Sequence, residues 1–150
     1  MFALKIHNGD IVVDQGLYAT VTGINKVHQD LRVAMSEHFG SDRFHPKWGS
    51  MLPEYIGRSQ DDATTIMIRT EIERVVNNYI MLQRVAINRA ISANKRPRFG
   101  AGEVVVKLDD LEVKQYYDSY NVRFTVTTMS NDSITLTGSV GIGGFSAIGA

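Results

Sequence analysis

The chain has no cysteine, only three prolines and a single tryptophan among its 150 residues. The lack of cysteine excludes disulfide bonds and thiolate catalysis, and it agrees with a reducing compartment. No apolar run approaches the roughly 20 residues that a membrane-spanning helix needs. The first residues also lack the apolar segment of a secretory signal. We therefore expect a soluble protein that is made and used inside a cell.

The chain also lacks an excess of either charge. Sixteen basic and sixteen acidic side chains cancel, so no global field attracts nucleic acid or an anionic membrane, and we expect neither as a partner. The one basic concentration is Lys95, Arg96 and Arg98, with Arg89 nearby. This cluster is typical of a solvated loop, and contact with an acidic patch on a protein partner is the alternative.

The first half of the chain has helical periodicity. Residues 17–22 favour an extended segment, and an amphipathic helix is predicted from Asn25 to Phe39, with Gly40 as its C-terminal cap. A short helical turn is expected at residues 51–56. The strongest helix is predicted to begin at Ser59, where Ser59-Gln60-Asp61-Asp62 resembles a capping box. Its apolar stripe consists of Ile68, Ile72, Val75, Val76 and Tyr79.

Beyond residue 82 the apolar period changes to two, which predicts strands. The predicted strands lie near residues 85–91, 103–108, 111–117, 120–128 and 134–140. Amphipathic helices followed by an antiparallel β-meander predict a single two-layer α+β domain with a core at about residues 17–140. We expect a flexible N-terminal lead, a flexible glycine-rich tail (GSVGIGGFSAIGA) and no internal repeat.

Side chains suited to chemistry are scattered. His38, Asp42 and His45 are close in sequence but lack the helical or hairpin frame of a metal site. Asp61 and Asp62 are explained as charges in the first turn of a helix, and Glu71 and Glu73 as a solvated helix face. Glu37 and Glu54 complete the carboxylates considered for acid–base catalysis, and no GxSxG or GxGxxG motif is present. We therefore predict no catalytic residue, no metal and no cofactor.

The connector between the two predicted helices, RFHPKWGSMLPEYIG (residues 43–57), concentrates aromatic residues in a segment that its prolines and glycines keep irregular. We expect Phe44, Trp48, Leu52 and Tyr55 to fix it over the helix–sheet core. Any side chain that remains exposed would serve as an anchor for another subunit. A core plug without a partner is the alternative for Trp48.

The order of elements and this connector together resemble the baseplate wedge family of contractile-tailed phages, also called sheath initiators, with relatives in the type VI secretion baseplate. The resemblance covers about residues 20–140. Many members carry Glu-Pro-Arg where the second helix passes into the first sheet strand, whereas that junction is here read as Leu82-Gln83-Arg84-Val85. The residues that match, and that the resemblance implies to be partner-binding, are Arg43, Phe44, Pro46, Trp48, Gly49, Leu52 and Arg84.

The resemblance implies a non-catalytic subunit of the tail baseplate of the virion, assembled in the host cytoplasm. It would bind other baseplate wedge proteins and the tail sheath protein, in multiple copies around the tail axis, and template the first sheath ring through strand pairing. The N-terminal FALKIHNGDIVV or the glycine-rich tail can cross into a partner in this way. The alternatives are a peptidoglycan hydrolase, with Glu37 or Glu54 as the catalytic carboxylate, and a tail tube or completion subunit.

Overall fold

The computed structural model describes residues 1–55, 61–141 and 144–147. They form two α-helices and antiparallel β-sheets, which confirms the predicted α+β fold class. The helices are α1 (Gly23–Ser36) and α2 (Asp62–Ser92), with 3₁₀ turns at Leu52–Tyr55 and Ala101–Glu103. The strands are β1 (Phe2–Leu4), β2 (Ile6–His7), β3 (Asp10–Ile11), β4 (Val13–Asp14), β5 (Leu17–Tyr18), β6 (Thr20–Thr22), β7 (Val105–Tyr116), β8 (Ser119–Thr128), β9 (Ser133–Gly141) and β10 (Gly144–Ala147).

The main sheet is antiparallel, with the strand order β10-β9-β8-β7. Val122, Phe124 and Val126 of β8 alternate with less buried residues and face the core, as their spacing predicts. The two strands predicted at 103–108 and 111–117 are one strand, β7. Register shifts between Val105 and Lys107 and between Leu108 and Asp110 break its alternation without ending it, in the manner of β-bulges.

Helix α1 begins at Gly23 and ends at Ser36, so the predicted boundaries are shifted by two or three residues. Its end differs because the following backbone bonds to the connector: the Phe39 N–H donates to the Ser50 carbonyl at 3.0 Å. Gly40 therefore does not cap the helix. The predicted buried stripe is confirmed for Val27, Leu31, Ala34 and Met35.

Helix α2 begins at Asp62, and Asp61 is its N-cap. The Asp61 carboxylate accepts a hydrogen bond from the Thr64 N–H at 2.8 Å, as expected for an N-cap aspartate. Ser59, the predicted start, lies outside the described residues. The predicted stripe from Ile68 to Tyr79 is buried.

The C-terminal part of α2 corrects the sequence interpretation. Residues 85–91 were predicted as a strand because Val85 and Ile87 alternate, but the helix continues to Ser92. Only the separation of four residues between Ile87 and Ile91 suits one face of a helix. The helix continues because Ala86, Arg89 and Ala90 have high helix propensity, and Val85 lies on another face, where it is exposed. The prediction is therefore wrong.

A Schellman motif ends α2. Asn94 has a φ of +55°, its N–H donates to the Ile91 carbonyl at 2.9 Å, and the Lys95 N–H donates to the Ala90 carbonyl at 2.8 Å. The junction between the second helix and the main sheet is thus residues 93–104, and Leu82-Gln83-Arg84-Val85 lies inside the helix. The interpretation of residues 82–85 as that junction is therefore wrong.

Both helices pack on the main sheet, α2 along β7 and α1 near β9 and β10. Their apolar side chains and those of the sheet form one core, as expected for a two-layer domain. The largest fully buried side chains are Phe124, Leu31, Met35, Leu52, Ile68, Ile72 and Leu136. Within the described residues, no helix combines the length and apolar character needed to cross a lipid bilayer.

Residues 2–16, expected to be a flexible lead, form a three-armed module of hydrogen-bonded ribbons together with residues 17–22, whose predicted extended conformation is confirmed. The arms are β1 with β6, β2 with β3, and β4 with β5. Three backbone hydrogen bonds of 2.8–2.9 Å join the arms at the centre. The Lys5 N–H donates to the Ala19 carbonyl, the Ala19 N–H to the Val12 carbonyl, and the Val12 N–H to the Lys5 carbonyl. These residues are spaced by seven, as are the turns at Asn8-Gly9 and Gln15-Gly16, where all four φ values are positive. The expectation of no internal repeat is therefore wrong for this module.

Part of the glycine-rich tail is also an ordered strand rather than a flexible segment. Residues 144–147 pair with β9 as β10, and the Phe145 ring packs over Gly138. A Cβ at Gly138 would overlap that ring, so the glycine makes room for the aromatic side chain that anchors the tail. Residues 142–143 and 148–150 lie outside the described part of the chain.

Candidate partner-binding site

The connector folds back on itself directly after α1. The Ser50 N–H donates to the Glu37 carbonyl at 2.8 Å, and the Gly40 N–H donates to the Trp48 carbonyl at 3.0 Å. Gly49 has a φ of +87°, and a Cβ there would overlap the His38 carbonyl. Gly49 is therefore required both for its backbone conformation and for the close approach of the two halves of the connector.

Helix α2 holds the connector through Glu71 and Arg74. The buried Glu71 carboxylate accepts bonds from the Met51 N–H at 2.7 Å and from Arg74 Nη2 at 2.6 Å. Arg74 Nη2 also donates to the Gly49 carbonyl at 2.7 Å, and Arg74 Nη1 donates to the Lys47 carbonyl at 3.3 Å. The same guanidinium lies 4.6 Å from the Phe39 ring centroid. The Arg74 and Glu71 side chains thus clamp the backbone of the connector.

The sequence interpretation misses this clamp, because it assigns Glu71 to a solvated helix face. Glu71 is only 3% exposed. It lies three residues after Ile68 and four before Val75, so it belongs to the apolar stripe. A carboxylate inside a stripe, with an arginine three residues further on, is the signal from which this buried pair is predictable.

Trp48 and Leu52 attach the connector to the core. Leu52 is fully buried, and Trp48 is half-buried. The indole Nε1 donates to Glu37 Oε2 at 2.5 Å, and the Trp48 and Tyr79 ring centroids are 6.3 Å apart with a 50° angle between planes. The expectation that these two residues fix the connector over the core agrees with this packing.

The tip of the connector faces solvent. Arg43, Phe44 and Pro46 are exposed, and Phe44 is 87% exposed, so the expected inward packing of Phe44 is wrong. Asp42 shapes the tip: its carboxylate accepts from the Phe44 N–H at 2.8 Å and lies 2.8 Å from His45 Nδ1. The His45 side chain and the Phe44 N–H both lower the pKa of Asp42.

Arg84 lies apart from the connector, in a groove of about 600 Å³ between α2 and the outer strand β7. The groove is lined by Glu73, Asn77, Ile80, Met81, Arg84, Val106, Lys107 and Leu108. The seven sequence-predicted residues therefore lie in two places. Six belong to the connector, with Trp48, Gly49 and Leu52 packed inside it and Arg43, Phe44 and Pro46 at its exposed tip. Arg84 lines the groove.

Apolar side chains are also exposed on the three-armed module. Val13 and Tyr18 are paired neighbours on one arm and are 57% and 67% exposed. Phe2 and Leu17 are more than 70% exposed. The module was not among the predicted sites, although its Asn-Gly turn between apolar residues is a hairpin signal.

Side chains considered for catalysis have structural contacts or solvent exposure. The Glu37 carboxylate accepts the Trp48 indole N–H, and Glu54 is exposed on a 3₁₀ turn. In the described ranges, no group of three or more His, Cys, Asp or Glu side chains is arranged to hold a metal ion.

No protein-family model matches the chain, and no curated protein is significantly similar to it in sequence. The resemblance to baseplate wedge proteins therefore stays a prediction that depends on the connector and on the order of elements.

Proposed function

We propose that this protein is a structural subunit of a contractile phage tail baseplate, located in the virion, that binds wedge proteins and templates the first sheath ring. The main support is the clamped connector with its exposed tip. Glu71, Arg74 and Asp42 fix the backbone of the connector, so Phe44 is held in a defined position. Binding a partner therefore needs little further loss of conformational entropy in the loop. An exposed aromatic residue on a rigid support is typical of an interface anchor.

The free edges of the main sheet support assembly through strand pairing. Among the described strands, β7 and β10 each have one partner, so both leave backbone N–H and C=O groups for a neighbouring chain. The N-terminal segment and the described part of the tail, which the sequence suggested as donated strands, pair within the subunit. We therefore assign the acceptor role to β7, which is twelve residues long and borders the groove.

Co-expression with candidate wedge and sheath subunits tests this proposal. We expect a stable complex that the Phe44→Ser variant weakens about tenfold, because an anchor side chain contributes more than 1 kcal/mol. The matched control is Met129→Ser, which removes another exposed apolar side chain, 68% exposed in the turn after β8. Affinity is measured by titration, and thermal unfolding verifies that both variants fold.

Two outcomes would contradict the proposal. In the first, the wild-type protein stays unbound with every candidate subunit at micromolar concentration. In the second, Phe44→Ser and Met129→Ser bind as tightly as the wild type, which would exclude the connector tip as the anchor.

A further inference from the structure

The end of α2 extends beyond the part of the helix that the sheet holds. Gln83 is the last residue of α2 bonded to the sheet side: its Nε2 donates to the Glu103 carbonyl at 2.7 Å, and its Oε1 accepts from the Val105 N–H at 2.9 Å. None of the nine residues from Arg84 to Ser92 is buried. At 1.5 Å per residue this overhang is about 14 Å long.

The overhang and the loop after it, residues 84–98, carry only positive charge. We call these residues the basic spur. Its charged side chains are Arg84, Arg89, Lys95, Arg96 and Arg98. All five are exposed, and none forms an ion pair with another residue in the described part of the chain. No aspartate or glutamate occurs between residues 74 and 102.

Local stability does not explain this charge. The Schellman motif at Asn94 already satisfies the last carbonyl groups of α2. A cation in the last turn of a helix interacts favourably with the helix dipole, and this interaction accounts for Arg89 alone. Arg84 lies two turns before the helix end, and Lys95, Arg96 and Arg98 lie beyond it. Neither the cap nor the helix dipole therefore accounts for four of the five cations.

We propose that the basic spur is a docking site for an acidic surface on a protein partner. Five unpaired cations on one projection complement a cluster of carboxylates, and their field raises the association rate with such a surface. Arg84 also lies on the groove beside β7, so a partner on the spur can continue along that groove. This site does not depend on the phage assignment proposed above.

The aliphatic side chains of the spur favour protein over nucleic acid or membrane. Ile91 is 62% exposed and Val85 is 39% exposed, which provides apolar contacts between the arginines. The spur presents no exposed aromatic ring for base stacking, since Phe99 follows it and is half-buried. Two exposed aliphatic residues also fall short of the broad apolar face of a membrane-surface helix.

The test compares the wild type with the triple variant Arg89→Gln/Arg96→Gln/Arg98→Gln. The control Lys5→Gln/Lys114→Gln/Arg123→Gln removes the same charge from exposed positions outside the spur. The probe is a labelled helical peptide rich in Glu and Leu, with a Gln-for-Glu peptide as reference. Binding is measured by fluorescence anisotropy near physiological ionic strength, alongside a DNA duplex and phosphatidylglycerol vesicles.

We expect the spur variant to bind the acidic peptide about tenfold more weakly, since three exposed ion pairs of modest strength are lost, and the control to bind as the wild type does. Ile91→Ser should weaken peptide binding severalfold and leave DNA binding unchanged. Equal peptide binding by the spur variant and the wild type would overturn the proposal. Spur-dependent binding that is tighter for DNA or for vesicles would also overturn it.

Discussion

At the residue scale, the most consequential contact is the clamp made by Glu71 and Arg74. Glu71 is almost completely buried, and its acceptor positions are filled by Arg74 and by the Met51 N–H. Removing one member of a buried, hydrogen-bonded ion pair leaves the other without compensation. This pair is therefore a larger contributor to connector geometry than exposed pairs such as Arg69 with Glu73.

Glu71→Ala should lower the free energy of unfolding by about 2 kcal/mol, because it leaves the Met51 N–H without its acceptor and Arg74 with only the Gly49 and Lys47 carbonyls. Glu73→Ala removes a carboxylate from an exposed pair and should cost less than about 0.5 kcal/mol. Denaturant unfolding measures both. Similar losses in the two variants would contradict the clamp.

Gly49→Ala should destabilise the protein more than Gly9→Ala. Both glycines have a φ near +87°, so both substitutions incur backbone strain of about 1–2 kcal/mol. Only at Gly49 does the added Cβ also overlap a carbonyl, that of His38, whereas the space around Gly9 is open. The difference between the two unfolding free energies isolates the steric overlap, and equal values would show that the connector can open without loss.

The buried Glu103 carboxylate should make the free energy of unfolding sensitive to acid. Burial acts to raise the pKa of Glu103, but hydrogen bonds from the Gly100 and Gly23 N–H groups and the Met1 amine outweigh it and lower the pKa below 4.5. A carboxylate with a lowered pKa stabilises the fold above its unfolded value and loses that contribution as the pH falls through the folded value. Stability should therefore fall below pH 4.5, and less steeply in Glu103→Gln. Identical slopes in thermal unfolding curves across this range would exclude Glu103 as the cause.

At the element scale, the sequence predicts those elements whose period is unambiguous. The alternation of Val122, Phe124 and Val126 and the stripe from Ile68 to Tyr79 each fit one period, and their structures are confirmed. The end of α2 is predicted wrongly because the alternation of Val85 and Ile87 favours a strand, whereas the helix propensity of the residues between Arg84 and Ser92 decides the structure. The connector tip was misjudged because the hydrophobicity of Phe44 favours burial, whereas the clamp acts on backbone carbonyls that leave no trace in the sequence.

Asn94 ends helix α2, since its φ of +55° is accessible to asparagine and glycine at small cost. Asn94→Ala should destabilise the last turns of α2 by about 1 kcal/mol and accelerate amide hydrogen exchange in residues 85–92. Asn94→Gly preserves the left-handed conformation and should exchange like the wild type. Slow exchange in both variants would show that contacts other than the Schellman motif hold these turns.

At the scale of the whole molecule, zero net charge conceals a strong separation of charge. The spur holds five of the sixteen basic side chains, so the remaining chain carries eleven basic and sixteen acidic ones. Such a molecule attracts copies of itself in head-to-tail orientation when salt screening is weak. The α+β fold class is predictable from periodicity, but this asymmetry depends on how far α2 extends past the sheet, which the sequence does not predict.

We therefore expect weak self-association at low ionic strength that disappears above about 0.15 M salt, where the Debye length falls to about 8 Å. Sedimentation velocity measures this change. The variant Arg89→Gln/Arg96→Gln/Arg98→Gln should be monomeric at both salt concentrations. Association that persists in high salt, or in this variant, would point to the exposed apolar arms of the N-terminal module.

The contacts of Arg74 with the connector go to the carbonyl oxygens of Lys47 and Gly49, which every residue type provides. The grip of Arg74 on the connector is thus independent of which side chains stand at positions 43–46. Mutations there can exchange one binding specificity for another, while the clamped backbone of the connector keeps its conformation. Diversification of partners among descendants of this protein would therefore begin at these four positions.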